Sequence, residues 1–256
     1  MKKTQRKTDG RDITFLYLIY ADSLERLENL IMSVKSIQKH WNTNILVMEV
    51  APYCNHILKK VLGKDITYIF IKDNDPILYR TMYLNKMLRS VSTPYAAVLD
   101  SDVIIPFEQV KKSIELLRNG NAKFILPYYR KFLDTSTLIR KLYMERQDIR
   151  ILNKYQHKMA EMNAPRPVGG AYFCDVEEYS HLGMEDEKCY GWGIEDGIRF
   201  YKWNATPYHV TEVDGIMFHL SHPRNVNSNF QNEEQNAIKI RDLHIVLNKS
   251  NNEIYD

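Results

Sequence analysis

The chain has 256 residues, of which 44% are hydrophobic and 26% charged, and its formal net charge is +3. This length favours one domain with a large core, and so small a charge does not indicate a nucleic-acid-binding protein. Cys54, Cys174 and Cys189 lack metal-ligand spacing, and their odd number favours a reducing compartment. The apolar run at residues 13–21 is too short for a membrane span. We therefore expect a cytoplasmic protein.

Residues 1–12 are basic and polar. Such a segment could contact an anionic membrane at the inner membrane face, but its composition favours solvated disorder. We therefore expect the folded domain to begin near residue 13.

Strand-like and helix-like segments alternate through the first half of the chain. The predicted strands are residues 13–20, 44–50, 66–71 and 96–99, and the predicted helices are residues 23–41, 54–62 and 77–91. Asp22 is the expected N-cap of the first helix, because Glu25 follows at the spacing of a capping box. This alternation predicts a βαβαβ sheet of nucleotide-binding type.

Acidic residues stand at the carboxyl ends of these predicted strands. Ligands bind at those ends in such sheets, so we expect the acids to gather near one site. The residues are Asp22, Glu49, Asp73, Asp100 and Asp102. Neither a Gly-x-Gly-x-x-Gly nor a Gly-x-x-x-x-Gly-Lys sequence occurs, which argues against a Rossmann dinucleotide site or a P-loop. A nucleotide here would need a metal and basic side chains to hold its diphosphate.

Asp100-Ser101-Asp102 directly follows the apolar run 96–99. On a strand the two carboxylates would project to the same side, where burial without compensation is costly. A divalent cation would remove that cost, and oxygen ligands suit Mg²⁺ or Mn²⁺. The alternative is an Asp-rich turn after a strand.

The second half begins with a predicted helix at 107–117, a strand at 124–128 and a long, charged, helical pattern at 130–161. The long segment is either a solvated excursion or a cover that shapes an acceptor pocket. Gly169-Gly170 then precedes an apolar strand and would let the backbone approach a ligand closely.

Gly191-Trp192-Gly193 places a large amphipathic ring on a flexible turn. Glu195 and Asp196 then open a helix, whose first turn favours acids through the helix dipole. The alternative is that both acids are only helix-start charges and that Trp192 belongs to the core.

His219 and His222 lie three residues apart after an apolar strand. A lone histidine is usually structural, but a chain with an acidic metal motif gives these two a stronger claim. Imidazole completes an oxygen-rich site well when the metal is manganese.

These stretches resemble a family 2-type inverting glycosyltransferase of the GT-A fold, and the second half is similar to the C-terminal domain of the β-1,4-galactosyltransferases. The landmarks are Arg26-x-x-Asn29, Arg80-x-x-x-x-Asn85, Asp100-Ser101-Asp102, Gly169-Gly170, Gly191-Trp192-Gly193-x-Glu195-Asp196, His219 and His222. The resemblance implies an α/β fold with a mostly parallel mixed sheet flanked by helices. It spans residues 13–224, divided into a nucleotide-binding half (13–106) and an acceptor and catalytic half (107–224), with 225–256 as a tail carrying a helix at 233–247.

The resemblance implies metal-dependent transfer of a Gal, GalNAc or Glc type sugar from a UDP-linked donor. The acceptor would be a glycan, a lipid-linked molecule or another hydroxyl compound, as in polysaccharide biosynthesis. Asp102 would bind Mn²⁺ or Mg²⁺ directly, Asp100 would support the ribose or the metal, and His219 or His222 would be a further ligand. Arg80 would contact the diphosphate.

The resemblance also implies roles around the nucleoside and the acceptor. Asp196 would be the general base and Glu195 an acceptor contact. The residues implied to line the nucleoside pocket are Asp22, Glu49 and Asp73, and those implied to bind acceptor or sugar are Trp192, Gly170, Gly193 and Glu195.

Two positions depart from the galactosyltransferase pattern. Ile194 stands where those enzymes typically have glycine, and Gly197 stands where a third acid often follows. One alternative function is a non-catalytic module that binds nucleotide sugars or glycans. Another is a phosphotransferase of the haloacid-dehalogenase type, whose Asp-x-Asp normally lies near the start of the chain and precedes Thr or Val where Ile104 stands here.

Overall fold

The structure is a computed structural model that describes residues 6–54, 56–228, 234 and 237–241. Its strands are β1 (Thr8–Ile19), β2 (Trp41–Ala51), β3 (Thr67–Lys72), β4 (Tyr95–Leu99), β5 (Val103–Ile104), β6 (Phe124–Leu126), β7 (Lys131–Asp134), β8 (Ala160–Glu161), β9 (Ala171–Asp175), β10 (Val210–Glu212) and β11 (Ile216–His219). Its α-helices are α1 (Leu24–His40), α2 (Ile57–Leu62), α3 (Arg80–Arg89), α4 (Phe107–Arg118), α5 (Thr137–Arg146), α6 (Ile149–Tyr155), α7 (Val176–His181) and α8 (Glu195–Asn204).

The main sheet has the strand order β10-β6-β9-β4-β1-β2-β3 within the described residues. Strands β4, β1, β2 and β3 are parallel, whereas β9 runs antiparallel to both β4 and β6. Because β2 lies on one side of β1 and β4 on the other, the sheet has a switch point between β1 and β4 where a crevice opens. The predicted mixed, mostly parallel sheet flanked by helices is confirmed.

The N-terminal boundaries differ from those expected. Strand β1 begins at Thr8 and not at residue 13, because Thr8 and the residues after it pair with the start of β2. The N-cap of α1 is Ser23 and not Asp22: its extended backbone lets its hydroxyl accept the Arg26 amide at 3.2 Å. Asp22 instead forms an ion pair with the Arg26 side chain at 3.1 Å.

The purely helical pattern expected for residues 130–161 is wrong at both of its ends. The segment begins with β7 and ends with β8, and these strands join β5 and β11 in a second sheet of order β5-β11-β7-β8. Phe132 and Leu133 are buried in β7. The charged residues around this apolar pair made the segment look helical in the sequence.

Helices α5 and α6 between those strands are not a solvated excursion, because they cover a small second core. Leu152 and Phe218 are fully buried in it, together with Met32, Ile104, Leu133, Ile139, Tyr143 and Leu220. The segment therefore packs against the second sheet and does not extend into solvent.

Residues 1–5 of the basic start lie outside the described residues, as does most of the tail at 225–256. Of the predicted helix at 233–247, residues 234 and 237–241 are described and are helical. None of the described helices has the length and apolar character needed to cross a membrane.

Trp203 anchors α8 to the main sheet. Its fully buried ring stacks on Phe124 of β6 with centroids 4.7 Å apart, and it meets Tyr172 and Tyr179 edge-on at 5.2 and 5.3 Å. This aromatic group fixes the helix that begins with Glu195.

We predict that Trp203→Ala lowers the free energy of unfolding by about 3–5 kcal/mol, the usual cost of emptying a buried aromatic site. Urea unfolding would measure the loss. Tyr201→Ala is the matched control, since Tyr201 is on the same helix and 43% exposed, and it should change stability by less than about 0.5 kcal/mol. An equal effect of the two substitutions would contradict this role of Trp203.

Candidate functional site

A cleft of about 340 Å³ opens at the carboxyl ends of β1 and β4. Most of the site residues predicted from the sequence line it, although they come from five separate parts of the chain. They are Arg80, Asp100, Asp102, Gly170, Trp192, Gly193, Glu195, Asp196, His219 and His222. Their meeting in one cleft follows from the switch point of the sheet and from the second sheet beside it.

Asp22, Glu49 and Asp73 lie near this edge but not in the cleft lining of the described residues. Glu49 is buried and accepts a hydrogen bond from Tyr68 at 2.5 Å. Asp73 accepts a hydrogen bond from Tyr83, also at 2.5 Å. Their carboxylates are thus held by neighbouring side chains, while Asp22 acts on the cleft through Arg26, which lines it.

The two acids of the Asp-x-Asp motif lie on a turn, because β4 already ends at Leu99. The strand alternation expected for them therefore does not apply, and each carboxylate has its own partners. Asp100 accepts a hydrogen bond from Arg80 at 2.5 Å, whereas Asp102 lies 3.0 Å from Nε2 of His222.

Asp102, His219 and His222 form a compact group whose ligand atoms all lie within 4.8 Å of one another. The Nδ1 atom of His219 lies 2.8 Å from Oδ1 of Asp134, and Nδ1 of His222 lies 2.7 Å from the Pro223 carbonyl. Both Nε2 atoms are therefore left to face Asp102. One carboxylate oxygen and two imidazole nitrogens are a donor set that suits a divalent transition metal such as Mn²⁺. Asp100 is not part of this group.

Strand β11 and α1 position the two histidines. Leu220, between them, donates its amide to the Asp102 carbonyl at 2.7 Å and accepts a hydrogen bond from Asn29 Nδ2 at 2.6 Å. Asn29 is buried and accepts a hydrogen bond in turn from Arg140 of α5 at 2.8 Å. The Arg26-x-x-Asn29 landmark thus contributes, through Asn29, a support for the histidine segment.

Asp134 is a site residue that the sequence analysis missed. It lies in the segment interpreted as helical, so its position at the end of a strand was not recognised. The signal was the apolar pair before it, Phe132-Leu133, which repeats the pattern of an apolar strand followed by an acid.

The charges of this group shift its titration. Burial opposes an imidazolium at His219, but the Asp102 and Asp134 carboxylates outweigh burial and raise the pKa of His219 to about 9. Burial likewise opposes the charge of Asp102, but the two histidines hold the pKa of Asp102 well below its usual range. Burial raises the pKa of Asp100 to about 6 against the attraction of Arg80.

Glu195 and Asp196 open α8 and also line the cleft, where both lie within electrostatic range of Arg80. Glu195 is buried, and its Oε2 has no hydrogen-bond partner among the described residues. Burial and the neighbouring Asp196 raise the pKa of Glu195 to about 7, against the attraction of Arg80. Asp196 is less buried and accepts a hydrogen bond from Arg199 at 2.5 Å.

The glycine pair makes room for the Asp196 carboxylate. A Cβ atom on Gly169 would lie 2.1 Å from Asp196 Oδ2, so no other residue fits there without moving the acid. Gly170 has a φ of +84° and accepts the Asp100 amide at 2.8 Å through its carbonyl. Tyr128 donates to the Gly169 carbonyl at 2.8 Å and so fixes the pair.

Trp192 is half-buried on its turn and lines the cleft, so it is not a core residue. Its carbonyl accepts a hydrogen bond from Lys239. This bond holds the backbone of the turn that carries the ring.

We predict that Glu195 makes stability fall as the pH rises. A glutamate ordinarily titrates near 4.5, whereas folded Glu195 keeps its proton up to about 7. Between these pH values the folded state binds more protons than the unfolded state, so the free energy of unfolding decreases with pH. Glu195→Gln should remove this dependence, while exposed Glu145→Gln should keep it. Urea unfolding at about pH 5 and about pH 8 tests this. An equal change in the free energy of unfolding between these pH values in wild type and Glu195→Gln would contradict the prediction.

No protein-family profile matches the sequence, and no curated protein matches it. Solved structures do. Glucosyl-3-phosphoglycerate synthase from Mycobacterium tuberculosis, in complex with Mn²⁺, UDP and glucosyl-3-phosphoglycerate, matches with TM-score 0.52 at 12% identity, over 93% of this chain and 79% of that chain. Its complex with Mn²⁺, UDP and phosphoglyceric acid gives 0.53 at 13% identity, over 93% and 78%.

A mannosyltransferase from Pyrobaculum calidifontis, in complex with GDP-Man and Mn²⁺, matches with TM-score 0.53 at 11% identity, over 85% of this chain and 59% of that chain. Identities this low establish the fold and nothing finer, so the narrower similarity to the β-1,4-galactosyltransferases stays a prediction. The chain has the mixed α/β fold of the GT-A glycosyltransferases.

Proposed function

We propose that this chain is a metal-dependent, inverting glycosyltransferase that transfers a sugar from a nucleoside-diphosphate donor to a hydroxyl acceptor. The observation that carries the proposal is one cleft lined both by a group of residues that could hold a metal and by a pair of acids. Asp102, His219 and His222 form the first, and Glu195 and Asp196 form the second. The fold neighbours, crystallised with Mn²⁺ and UDP or GDP-Man, support the same assignment.

Asp102, His219 and His222 would hold the metal, with both histidines as ligands. The donor set fits, because each Nε2 faces the carboxylate and each Nδ1 already has an acceptor. A bound divalent cation would offset the negative charge that grows on a departing diphosphate. Asp100 would act beside this group, on the ribose or on the metal from its own side of the turn.

Arg80 would bind the diphosphate. Its guanidinium lines the cleft, and the hydrogen bond to Asp100 at 2.5 Å fixes its direction. Asp22 and Asp73 follow β1 and β3, and Glu49 lies two residues before the end of β2. We propose that these three acids form the nucleoside side of the site. A UDP-linked donor is the form that this proposal favours.

Asp196 would take the proton from the attacking hydroxyl, and Glu195 would bind the acceptor. An oxygen of Glu195 has no partner within the described residues, and with a pKa of about 7 its carboxyl keeps a proton that it can donate to an acceptor oxygen. Trp192 would lie against the sugar rings, with Gly170 and Gly193 allowing close approach of the backbone. A glycan or lipid-linked acceptor, a Gal, GalNAc or Glc type donor and a cytoplasmic location remain parts of the proposal.

We predict that Asp102→Ala abolishes Mn²⁺ binding measured by calorimetry, because it removes the central oxygen of the group. His219→Ala and His222→Ala should each weaken Mn²⁺ binding. His209→Ala is the control, since that histidine lies outside the cleft lining and bonds to the Asn204 carbonyl. Wild-type Mn²⁺ affinity in Asp102→Ala would disprove the metal site.

We predict that Asp196→Asn lowers kcat by roughly 10²-fold or more, the scale of general-base catalysis. Calorimetric affinity for Mn²⁺ and UDP should be unchanged, because Asp196 belongs neither to the group of Asp102, His219 and His222 nor to the proposed nucleoside side of the site. Glu195→Gln should mainly raise the KM for acceptor, since a contact held equally in ground and transition states acts on binding.

The assay is transfer or donor hydrolysis with Mn²⁺ across UDP-linked sugars. Near-wild-type turnover of Asp196→Asn at saturating substrate would show that this acid is only a helix-start charge. Donor binding by the wild-type protein without any turnover would favour the non-catalytic module.

A further inference from the structure

We propose that Arg199 is a positioning residue, and that with Glu185 it clamps the Asp196 carboxylate against Gly169. The inference rests on the proposed function, in which Asp196 is the general base. Neither Arg199 nor Glu185 belongs to any sequence landmark of the site.

Arg199 joins two carboxylates that come from different parts of the chain. Its side chain is only 2% exposed. Its Nη2 donates to Asp196 Oδ1 at 2.5 Å, and its Nη1 reaches Oε1 and Oε2 of Glu185 at 3.1 and 3.2 Å. One planar guanidinium therefore fixes Asp196 relative to a second, fully buried acid.

Glu185 is itself a fixed anchor. Its carboxylate accepts a hydrogen bond from Tyr172 of β9 at 2.7 Å. Its backbone is held from both sides by Asn85 of α3, whose side chain accepts the Glu185 amide at 2.9 Å and donates to the Glu185 carbonyl at 3.0 Å. The clamp is thus tied to the central sheet and to the helix that begins with Arg80.

Aromatic rings set the plane of the guanidinium. The Arg199 Cζ atom lies 4.3 Å from the centre of the Tyr172 ring and 5.4 Å from that of Trp203. A lysine could keep the charge, but it could neither stack in this way nor present two parallel donors.

The other oxygen of Asp196 meets the glycine pair. Oδ2 occupies the space that a Cβ of Gly169 would need. The carboxylate is therefore confined between Arg199 on one side and the Gly169 backbone on the other, at the wall of the cleft. Confinement of this kind keeps a reacting group in its productive geometry, and a misplacement of about 1 Å can cost roughly 10²-fold in rate.

The arrangement exceeds what stability alone requires. Arg199 and Glu185 already neutralise each other in the interior, so a bond to Asp196, whose side chain is 27% exposed, is not needed to pair a buried charge. That bond extends a structural ion pair into the cleft.

The test uses the double variant Arg199→Met/Glu185→Gln, with Arg199→Lys beside it. The double variant removes both buried charges together and avoids leaving Glu185 unpaired, which would be strongly destabilising. Lys202→Met is the matched control: Lys202 is a cation on the same helix, and it bonds to the Met184 carbonyl without touching Asp196. Each protein is assayed for kcat, acceptor KM, and calorimetric binding of Mn²⁺ and UDP.

We expect the double variant to lose roughly 10²-fold in kcat, with Mn²⁺ and UDP affinity unchanged. Arg199→Lys should lose less, and Lys202→Met should keep the wild-type kcat. A folded double variant with wild-type kcat would overturn the proposal, and so would equal losses in the double variant and in Lys202→Met.

A crystal structure of the double variant separates this inference from the proposed function. If the wild-type protein shows no turnover with any donor, the proposed function fails, but the structure still decides the clamp. An Asp196 carboxylate that has left its place beside Gly169 supports the clamp, and one that stays there overturns it.

Discussion

The cleft depends on the pairing of the carboxylates that the fold buries at one edge of the sheet. Asp102 lies beside two histidines, one at the end of the second sheet's β11 and one after it, and Asp100 accepts a hydrogen bond from Arg80 of α3. Asp196 accepts one from Arg199, three residues later on its own helix, and Arg199 in turn pairs with Glu185 from a different part of the chain. Without such partners, burial would drive protons onto the acids or unfold this edge. The edge therefore holds together only when strands and helices distant in sequence bring their charges to the same place, and that requirement organises the site.

The second sheet explains how the histidines reach Asp102. Strand β11 pairs with both β5 and β7, so its end lies directly beside the turn that carries the motif. Asn29 and Arg140 tie the segment after β11 to α1 and α5, and both are buried. The segment at residues 130–161 thus provides a strand, β7, that pairs with β11. It also provides Asp134, the hydrogen-bond partner of His219 on the side away from Asp102.

The two walls of the cleft are built on different principles. At the Asp102 wall two carboxylates, Asp102 and Asp134, face the imidazole of His219 and raise its pKa against the effect of burial. At the α8 wall the arginine is shared between acids while Glu195 is left with an unpaired oxygen and a pKa near neutrality, about 7. The Asp102 wall is suited to hold a cation, and the α8 wall is suited to exchange a proton. Transfer of a group to a hydroxyl requires both functions.

Sequence patterns predicted the alternation of strands and helices, the gathering of ligand-binding groups at the carboxyl ends of the strands, and ten of the residues that line the cleft. Local propensity and the rule that parallel strands present their carboxyl ends at one edge were enough for this, because both act over short stretches. The carboxyl-end rule indicated Asp100 and Asp102, whereas Glu195 and Asp196 were indicated as the acids that open a helix after the Gly191-Trp192-Gly193 turn. The N-cap at Ser23 and the start of β1 at Thr8 differed, because strand pairing and backbone geometry at element ends outweigh local pattern.

Only the tertiary structure decided which charges meet. Arg199 follows Asp196 at an i,i+3 spacing that lets the two side chains meet on one helix, but nothing local says that the same guanidinium also reaches Glu185. Asp134 was likewise missed, because the short apolar pair before it is a weak signal among charged residues, and its strand is confirmed only by pairing with the distant β11. Periodicity encodes which face of an element is buried, whereas contacts between polar groups on distant elements depend on packing that no short stretch contains.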